Sequence, residues 1–481
     1  MKIKMIEKSY GEVLAMKRQK HEKPIRPNIF FRSLLKLVSV PDLISTHFKN
    51  ERIGMEKLGR DEPALFLMNH SSFIDLEIVS SILYPRPFNI ITTGDGFIGK
   101  DRLMRLIGCI PTNKFVSDST LVRDILYATK KLKDSIILFP EASYSFDGTA
   151  TPLPNTVSKL IKLLGIPVVM IRTYGAFSRD PLYNNLKRRK VNVSSTETYL
   201  LSPEEIQNMS ADEIDEILKR EFSFDHFLWQ KETRVKISED FRADYLNRVL
   251  YKCPHCLAEG KTEGKGTSIT CHACGTTYSL DEYGYLSCEG GNTRFDHVPD
   301  WYKWERECVR EELISGEYSL DVPVDICMTV DTKHLYHIGD GRLRHTVDGF
   351  VLDGCDGKLH YEQKPKASYS LYSDFNWYEV GDVICIGNNE HLFYCFPTTD
   401  GDCVAKARLA TEELYKLSTV AERFGGSYAK KVLVASSLGN TKSDMALRQR
   451  AHDMNIRIVD SVTEKNEKEL EQIIASLWHS N

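Results

Sequence analysis

Four short apolar runs between residues 64 and 171 constrain the fold of this chain more than any other feature. They are Ala-Leu-Phe-Leu-Met (64–68), Pro-Phe-Asn-Ile-Ile (87–91), Ser-Ile-Ile-Leu-Phe (135–139) and Pro-Val-Val-Met-Ile (167–171). Each has the length of a strand and β-branched enrichment. None alternates apolar with polar residues, the pattern expected of strands covered on both faces. Helical periodicity fills the gaps: over 120–133, Leu121, Ile125, Ala128 and Leu132 fall on one stripe. This predicts an α/β domain around a largely parallel sheet.

The chain of 481 residues is too long for one core, and at about 150 residues per domain it predicts about three domains. The text changes character along its length. A basic amphipathic segment occupies 1–45, and the α/β domain with a charged helical extension occupies 46–242. A Cys/Gly-rich module follows over 243–295. Residues 296–418 hold a helix, then about seven short strands broken by Gly, Asp and Asn turn signals, then a second helix. The tail, 419–481, repeats an αβ pattern. The overall class is multidomain α/β plus β.

Composition excludes several functions. With 42% hydrophobic and 27% charged residues the chain is globular, and a net charge of −4 offers no global electrostatic case for nucleic acid. The first forty residues, however, carry ten Lys/Arg against three Asp/Glu. Their charges recur every few positions, so the segment does not read as a signal peptide. No run approaches a membrane-spanning length. The expectation is a cytoplasmic protein.

The first run ends in Asn69-His70-Ser71-Ser72-Phe73-Ile74-Asp75. On an ideal helix His70 and Asp75 would lie about 140° apart and could not cooperate. They meet only if the chain turns between strand and helix, with Ser71 or Ser72 as the helix N-cap. That turn is where an α/β sheet presents residues to ligands. A His oriented by a carboxylate is the pair needed to take a proton from a hydroxyl.

Three later segments give this box a context. Gly108-Cys-Ile-Pro-Thr-Asn113-Lys114 is a Gly-hydrophobic stretch, Phe139-Pro-Glu141-Ala142-Ser143-Tyr144-Ser145 ends the third run, and Gly165-Ile-Pro-Val-Val-Met170 opens the fourth. In this order and spacing, over about residues 30–200, the chain resembles the glycerolipid (1-acylglycerol-3-phosphate-type) acyltransferase family. Its first motif, NHxxxxD, is matched by Asn69, His70 and Asp75. The sequence departs where the family has Gly and Arg in the third motif, here Ala142 and Tyr144, and Arg in the second, here Lys114. Arg grips a phosphate in bidentate fashion, which neither Lys114 nor Tyr144 can do. Lys100, Arg102, Arg105 and Arg172 are candidate replacements.

The resemblance implies acyl transfer from acyl-CoA or acyl-carrier protein to a hydroxyl of a lysophospholipid-like lipid acceptor. His70 is then the general base and Asp75 its orienting partner. Asn69, Asn113, Lys114, Glu141, Ala142 and Ser143 are the substrate-binding candidates, with backbone N–H groups around 141–143 available to a tetrahedral oxyanion. The alternative is a degenerate acyltransferase fold acting as a scaffold.

Cys253-Pro-His-Cys256 and Cys271-His-Ala-Cys274, fourteen residues apart, resemble a zinc ribbon, with four thiolates around a structural zinc. His255 and His272 are read as bystanders. Residues 27–41, with Phe30, Phe31, Leu34, Leu35, Leu37 and Val38 beside Arg32 and Lys36, suit a headgroup interface. This predicts peripheral attachment to the inner face of the cytoplasmic membrane. The seven strands closed by a helix resemble a pleckstrin-homology-like barrel. The tail resembles the end of some restriction-endonuclease-like nucleases. Asp382 could match a metal-binding Asp, but no Glu-x-Lys follows, so neither nuclease activity nor nucleic-acid binding is expected.

Overall fold

The computed structural model describes residues 3–115, 118–154, 156–288, 293–399 and 402–423, with two short parallel-paired strands at Val432–Val434 and Arg457–Val459. The helices expected near 441–454 and before Trp478 lie outside the described residues.

The N-terminal strand β1 (Met5–Glu7) pairs in parallel with a strand some 330 residues away, and the short helix after it buries Val13. The first 45 residues are therefore divided: the start docks on the distant β domain, whereas residues 21–27 and the Ile29–Ser45 helix lie on the α/β unit, with His21 beside Asp124, Arg26 beside Asp134 and Leu43 in the core.

That unit is built on β2 (Lys49–Ile53), β3 (Leu65–Met68), β4 (Phe88–Thr93), β5 (Cys109–Thr112), β6 (Ser135–Leu138), β7 (Val168–Tyr174) and β8 (Ser194–Leu201), in the order β2-β8-β7-β3-β6-β4-β5. Every pairing is parallel except β7 with β8, so the sheet is mixed but largely parallel. β3 lies at its centre with all four residues buried. Period-two alternation sends Phe66 and Met68 to one face, against Leu43, Ile74 and Ile78. It sends Leu65 and Leu67 to the other, against Ile125, Ile161, Ile214 and Leu218. Each such side chain contributes about 1.5–3 kcal/mol by leaving water.

The Cys-rich module is an antiparallel sheet of β9 (Thr262–Lys265), β10 (Ser268–Cys271), β11 (Thr277–Leu280) and β12 (Leu286–Cys288). An 18-residue helix, Val298–Ser315, leads from it to the β domain. There β13 (Leu320–Met328), β14 (Leu335–Thr346), β15 (Gly349–Gly354) and β16 (Leu359–Gln363) form one meander. The second consists of β17 (Tyr372–Trp377), β18 (Gly381–Gly387) and β19 (Leu392–Pro397), and β13 pairs with β19 to join them. The Val404–Arg423 helix follows and packs against β17 and β18.

The β domain sits against the α/β unit. The Tyr372 hydroxyl and Trp377 Nε1 both donate to Asp95, at 2.7 and 3.1 Å, and Phe375 stacks on Phe146 at 4.4 Å between ring centroids. Phe146 belongs to the loop after β6 and is buried in the core that joins the Cys-rich and β modules. That loop is thus fixed from both sides.

Candidate active site

Parallel pairing places the carboxyl ends of β7, β3 and β6 side by side, and the loops that leave them form the site. The first loop folds on its own carboxylate. His70 Nδ1 lies 3.1 Å from Asp75 Oδ2, and the same oxygen accepts the N–H groups of Ser71 at 2.8 Å and Ser72 at 3.2 Å. The expectation that Ser71 or Ser72 caps the helix is corrected here. The N-cap of the Ile74–Ile82 helix is Phe73, without a side-chain cap bond. Asp75 already takes the two serine amides, so a serine hydroxyl is not needed for them.

Asn69 ties this loop to β7. Its Oδ1 accepts the N–H of Thr173 at 2.8 Å and its Nδ2 donates to Ser71 Oγ at 3.0 Å. Ser71 Oγ also lies 3.2 Å from Nε2 of the buried His226, which the sequence reading did not single out. Burial pushes the His226 imidazole down to about 3, so it stays neutral and serves as a hydrogen-bonding wall.

Glu141 joins the third loop to the first. One carboxylate oxygen accepts the His70 N–H at 2.8 Å and the other accepts the Thr151 N–H at 2.9 Å. Burial pushes its carboxyl up to about 7 while those two amides pull it down. Glu141 anchors the loop that carries His70. Its neighbour Ala142 stands at φ 58°, in the left-handed region that glycine adopts freely and a Cβ disfavours by about 1–2 kcal/mol.

The His70 ring lies between two aromatic rings, Phe139 and Tyr144, each 4.3 Å away between centroids. Burial lowers the His70 pKa, Asp75 opposes this, and the Lys114 charge adds to the lowering. The imidazole is therefore held neutral, with Nδ1–H directed at Asp75 and Nε2 as the basic nitrogen. Lys114 sits over the Tyr372 ring of the β domain at 4.3 Å. Asn113 lies against Gly94, and no hydrogen bond among the described residues links it to His70.

Of the proposed replacement cations, two are engaged elsewhere. Arg105 pairs with Asp101 at 3.1 Å and Arg172 with Glu221 at 3.3 Å. The cation that does reach the third motif is Arg408, whose Nη2 donates to Ser143 Oγ at 2.9 Å from 265 residues along the chain. Nothing in the local sequence signals that contact.

The four cysteines form a separate cluster, with all four Sγ atoms within 4.8 Å of one another. The separations of 3.8 Å for Cys253–Cys274 and 3.7 Å for Cys256–Cys271 match the edge of about 3.8 Å that a tetrahedral four-thiolate zinc centre with bonds of about 2.3 Å requires. They are far too long for disulfides. His272 pairs with Glu263 at 2.9 Å. The cluster can hold a metal such as zinc.

A neutral imidazole held by a carboxylate at the carboxyl edge of a largely parallel sheet is an arrangement able to accept a proton from a hydroxyl. Residues 50–173, from β2 to the end of β7, match the family model described as Acyltransferase. The crystal structure of the 1-acyl-sn-glycerophosphate (LPA) acyltransferase, PlsC, from Thermotoga maritima is similar at 18% identity. The similarity covers 40% of this chain and 78% of that one, with a TM-score of 0.29. No curated protein matches the chain.

Proposed function

We propose that the protein is an acyltransferase that moves a fatty acyl group from acyl-CoA or acyl-carrier protein to a hydroxyl of a lysophospholipid-like acceptor. The observation that carries this reading is the His70–Asp75 pair, with its imidazole neutral and its loop locked by Glu141. His70 Nε2 removes the acceptor's hydroxyl proton while Asp75 stabilises the imidazolium that forms. The alkoxide attacks the thioester carbonyl, and the tetrahedral intermediate collapses with loss of the thiolate. His70 returns the proton to the sulfur, so one ester and one thiol are formed and the base is regenerated.

The membrane is the source of the acceptor, and the Ile29–Ser45 helix is the surface that meets it. Phe30, Leu37, Val38 and Ile44 are each about 60–70% exposed, which is costly in water and favourable in a headgroup interface. The helix packs on the Ile74–Ile82 helix directly after the catalytic loop, where Phe73 is also exposed. No described helix is long and apolar enough to cross a membrane. The attachment we propose is peripheral, on the inner face of the cytoplasmic membrane. We read the four-cysteine module as a zinc ribbon with a structural ion, because a set of four thiolates leaves no open coordination position. We read the β domain as pleckstrin-homology-like from its seven strands and following helix.

The test offers acyl-CoA and acyl-carrier protein to purified wild type and His70→Ala with several lysolipids, including ones without phosphate. Transfer by the wild type that vanishes in a folded His70→Ala is the expected result. Equal activity in the two would overturn the role of His70, and no transfer by either would favour a scaffold. Metal analysis of the same preparation should find about one zinc per chain, and vesicle sedimentation should weaken in Leu37→Glu.

A further inference from the structure

The His70–Asp75 pair backs onto a buried ionic cluster that the reaction as written leaves idle. Arg179, in the short Ala176–Arg179 helix after β7, is 2% exposed, and its guanidinium forks between two acids. Nη1 donates to Asp180 Oδ2 at 2.9 Å, and Nη2 donates to Asp42, which also takes Arg188 at 3.3 Å. Asp42 belongs to the Ile29–Ser45 helix, two residues before the exposed Ile44. Glu77, of the Ile74–Ile82 helix, is the third acid: burial and the neighbouring Asp42 push its carboxyl up to about 7.

We infer that Arg179 and Asp180 are positioning residues for the loop that carries His70, joined to it through Ser72 and to the Ile29–Ser45 helix through Asp42, so that a lipid surface bound by that helix sets the position of the imidazole. The inference rests on the acyltransferase and membrane readings for its purpose but not for its geometry.

Two observations carry it. First, one buried side chain bridges the two functional elements. A planar guanidinium holds its carboxylates in fixed directions, so a displacement of Asp42 is passed to Asp180. Second, the last link of the chain faces its partner but is not closed. Asp180 Oδ1 and Ser72 Oγ are both buried, and neither makes a hydrogen bond among the described residues. They nevertheless feel each other: burial pushes the Asp180 carboxyl up to about 7, while Arg179 and the Ser72 hydroxyl pull it down. Facing buried groups left unpaired are costly, and a small shift that pairs them is favourable. Ser72 cannot move alone. Its N–H donates to Asp75 Oδ2 at 3.2 Å, the oxygen that also holds His70 Nδ1 at 3.1 Å. Closing the Ser72–Asp180 contact therefore moves the frame of the imidazole, and displacements of about 1 Å matter to a reacting pair.

The test uses the full-length protein and vesicles of phosphatidylglycerol and phosphatidylethanolamine in equal parts. Sedimentation measures binding, and hydrogen exchange of residues 69–75 reports the loop. In wild type the vesicles should slow exchange there about tenfold. Asp42→Asn should bind the same vesicles and lose that protection, as should Arg179→Lys, which keeps the buried charge but not the fork. In transfer assays with acyl-CoA and a water-soluble short-chain lysolipid, the vesicles should raise wild-type kcat about tenfold. Asp180→Asn should abolish that rise and keep the wild-type KM for acyl-CoA. A merely structural role would lower the melting temperature but leave the ratio of kcat with and without vesicles intact, and that result would overturn the inference. So would wild-type protection in Asp42→Asn, or vesicles that bind wild type without changing exchange in the loop. No vesicle binding by wild type would overturn it together with the membrane reading. If wild type transfers to no acceptor, the acyltransferase reading alone fails, because exchange and sedimentation still decide the link.

Discussion

The loops that follow β3 and β6 meet over one imidazole but are stabilised in opposite ways. The first is nearly self-sufficient. Over the short stretch from Asn69 to Asp75, the Asp75 carboxylate orients His70 and takes the amides of Ser71 and Ser72, and a tie from Asn69 to Thr173 fixes the loop to the next strand. The loop after β6, which carries the third motif, depends on the rest of the molecule. Its Ala142 holds a backbone conformation suited to glycine, Ser143 is held by Arg408, Tyr144 lies on His70, and Phe146 is locked against Phe375. The His70–Asp75 pair is thus assembled locally, whereas the loop after β6 is completed by the β domain and the helix that follows it. Glu141 is the side chain that ties one loop to the other.

The largest effect should come from breaking the self-sufficient loop. Asp75→Asn leaves a side chain of the same shape but removes the charge that stabilises the imidazolium, so kcat should fall by about 10³-fold or more, measured by steady-state acyl transfer. Near-normal activity would mean that the pair does not act as base and orienter.

The pH profile follows. The base must be neutral, and burial lowers the pKa of His70 from its ordinary value of 6.5. Activity should therefore hold at and above pH 6.5 and be lost only as pH falls below it, by up to about tenfold per unit. An inflection near pH 7 would belong to Glu141, whose carboxyl is raised to about 7, and should disappear in Glu141→Gln. An inflection that survives in that variant would contradict the assignment.

Glu141→Gln should also loosen the connection between the loops. A Gln keeps one acceptor oxygen but turns an NH2 group toward the other amide. Unfolding stability should drop by about 1–3 kcal/mol, read from denaturant curves, with a smaller loss of kcat than in Asp75→Asn. The smallest effect belongs to the loop after β6 alone. Ala142→Gly relieves the left-handed strain at φ 58° and should stabilise the protein by up to about 1 kcal/mol, seen as a raised melting temperature. Destabilisation by Ala142→Gly would show that the strain is offset by a contact of the Ala142 methyl.

Much of the fold was legible in the residues, for identifiable reasons. The central strands β3, β4, β6 and β7 are buried and so had to be written in uninterrupted apolar runs. The strands that escaped reading are of another kind: β2 is Lys-Asn-Glu-Arg-Ile on the sheet's edge, and β8 beside it opens Ser-Ser-Thr-Glu. Strands at the margin of a sheet are covered less completely, and their sequences need not look like strands. The His70–Asp75 pair was legible because its partners are five residues apart, and the cysteine set because its knuckles are local. Arg408 and His226 were not, because each reaches the site from a distant segment whose own pattern is that of an ordinary helix.

By itself the sequence determined a largely parallel sheet whose central strands are buried on both faces, a His/Asp turn at the end of its central strand and four thiols spaced to enclose one ion. Those features are encoded at short range, by side-chain period, turn geometry and ligand spacing. Only the tertiary structure decided that the β domain lies against the site and that a guanidinium from the Val404–Arg423 helix stands at the third motif. These are long-range juxtapositions, set by which cores fuse when the domains pack, and no local pattern records them.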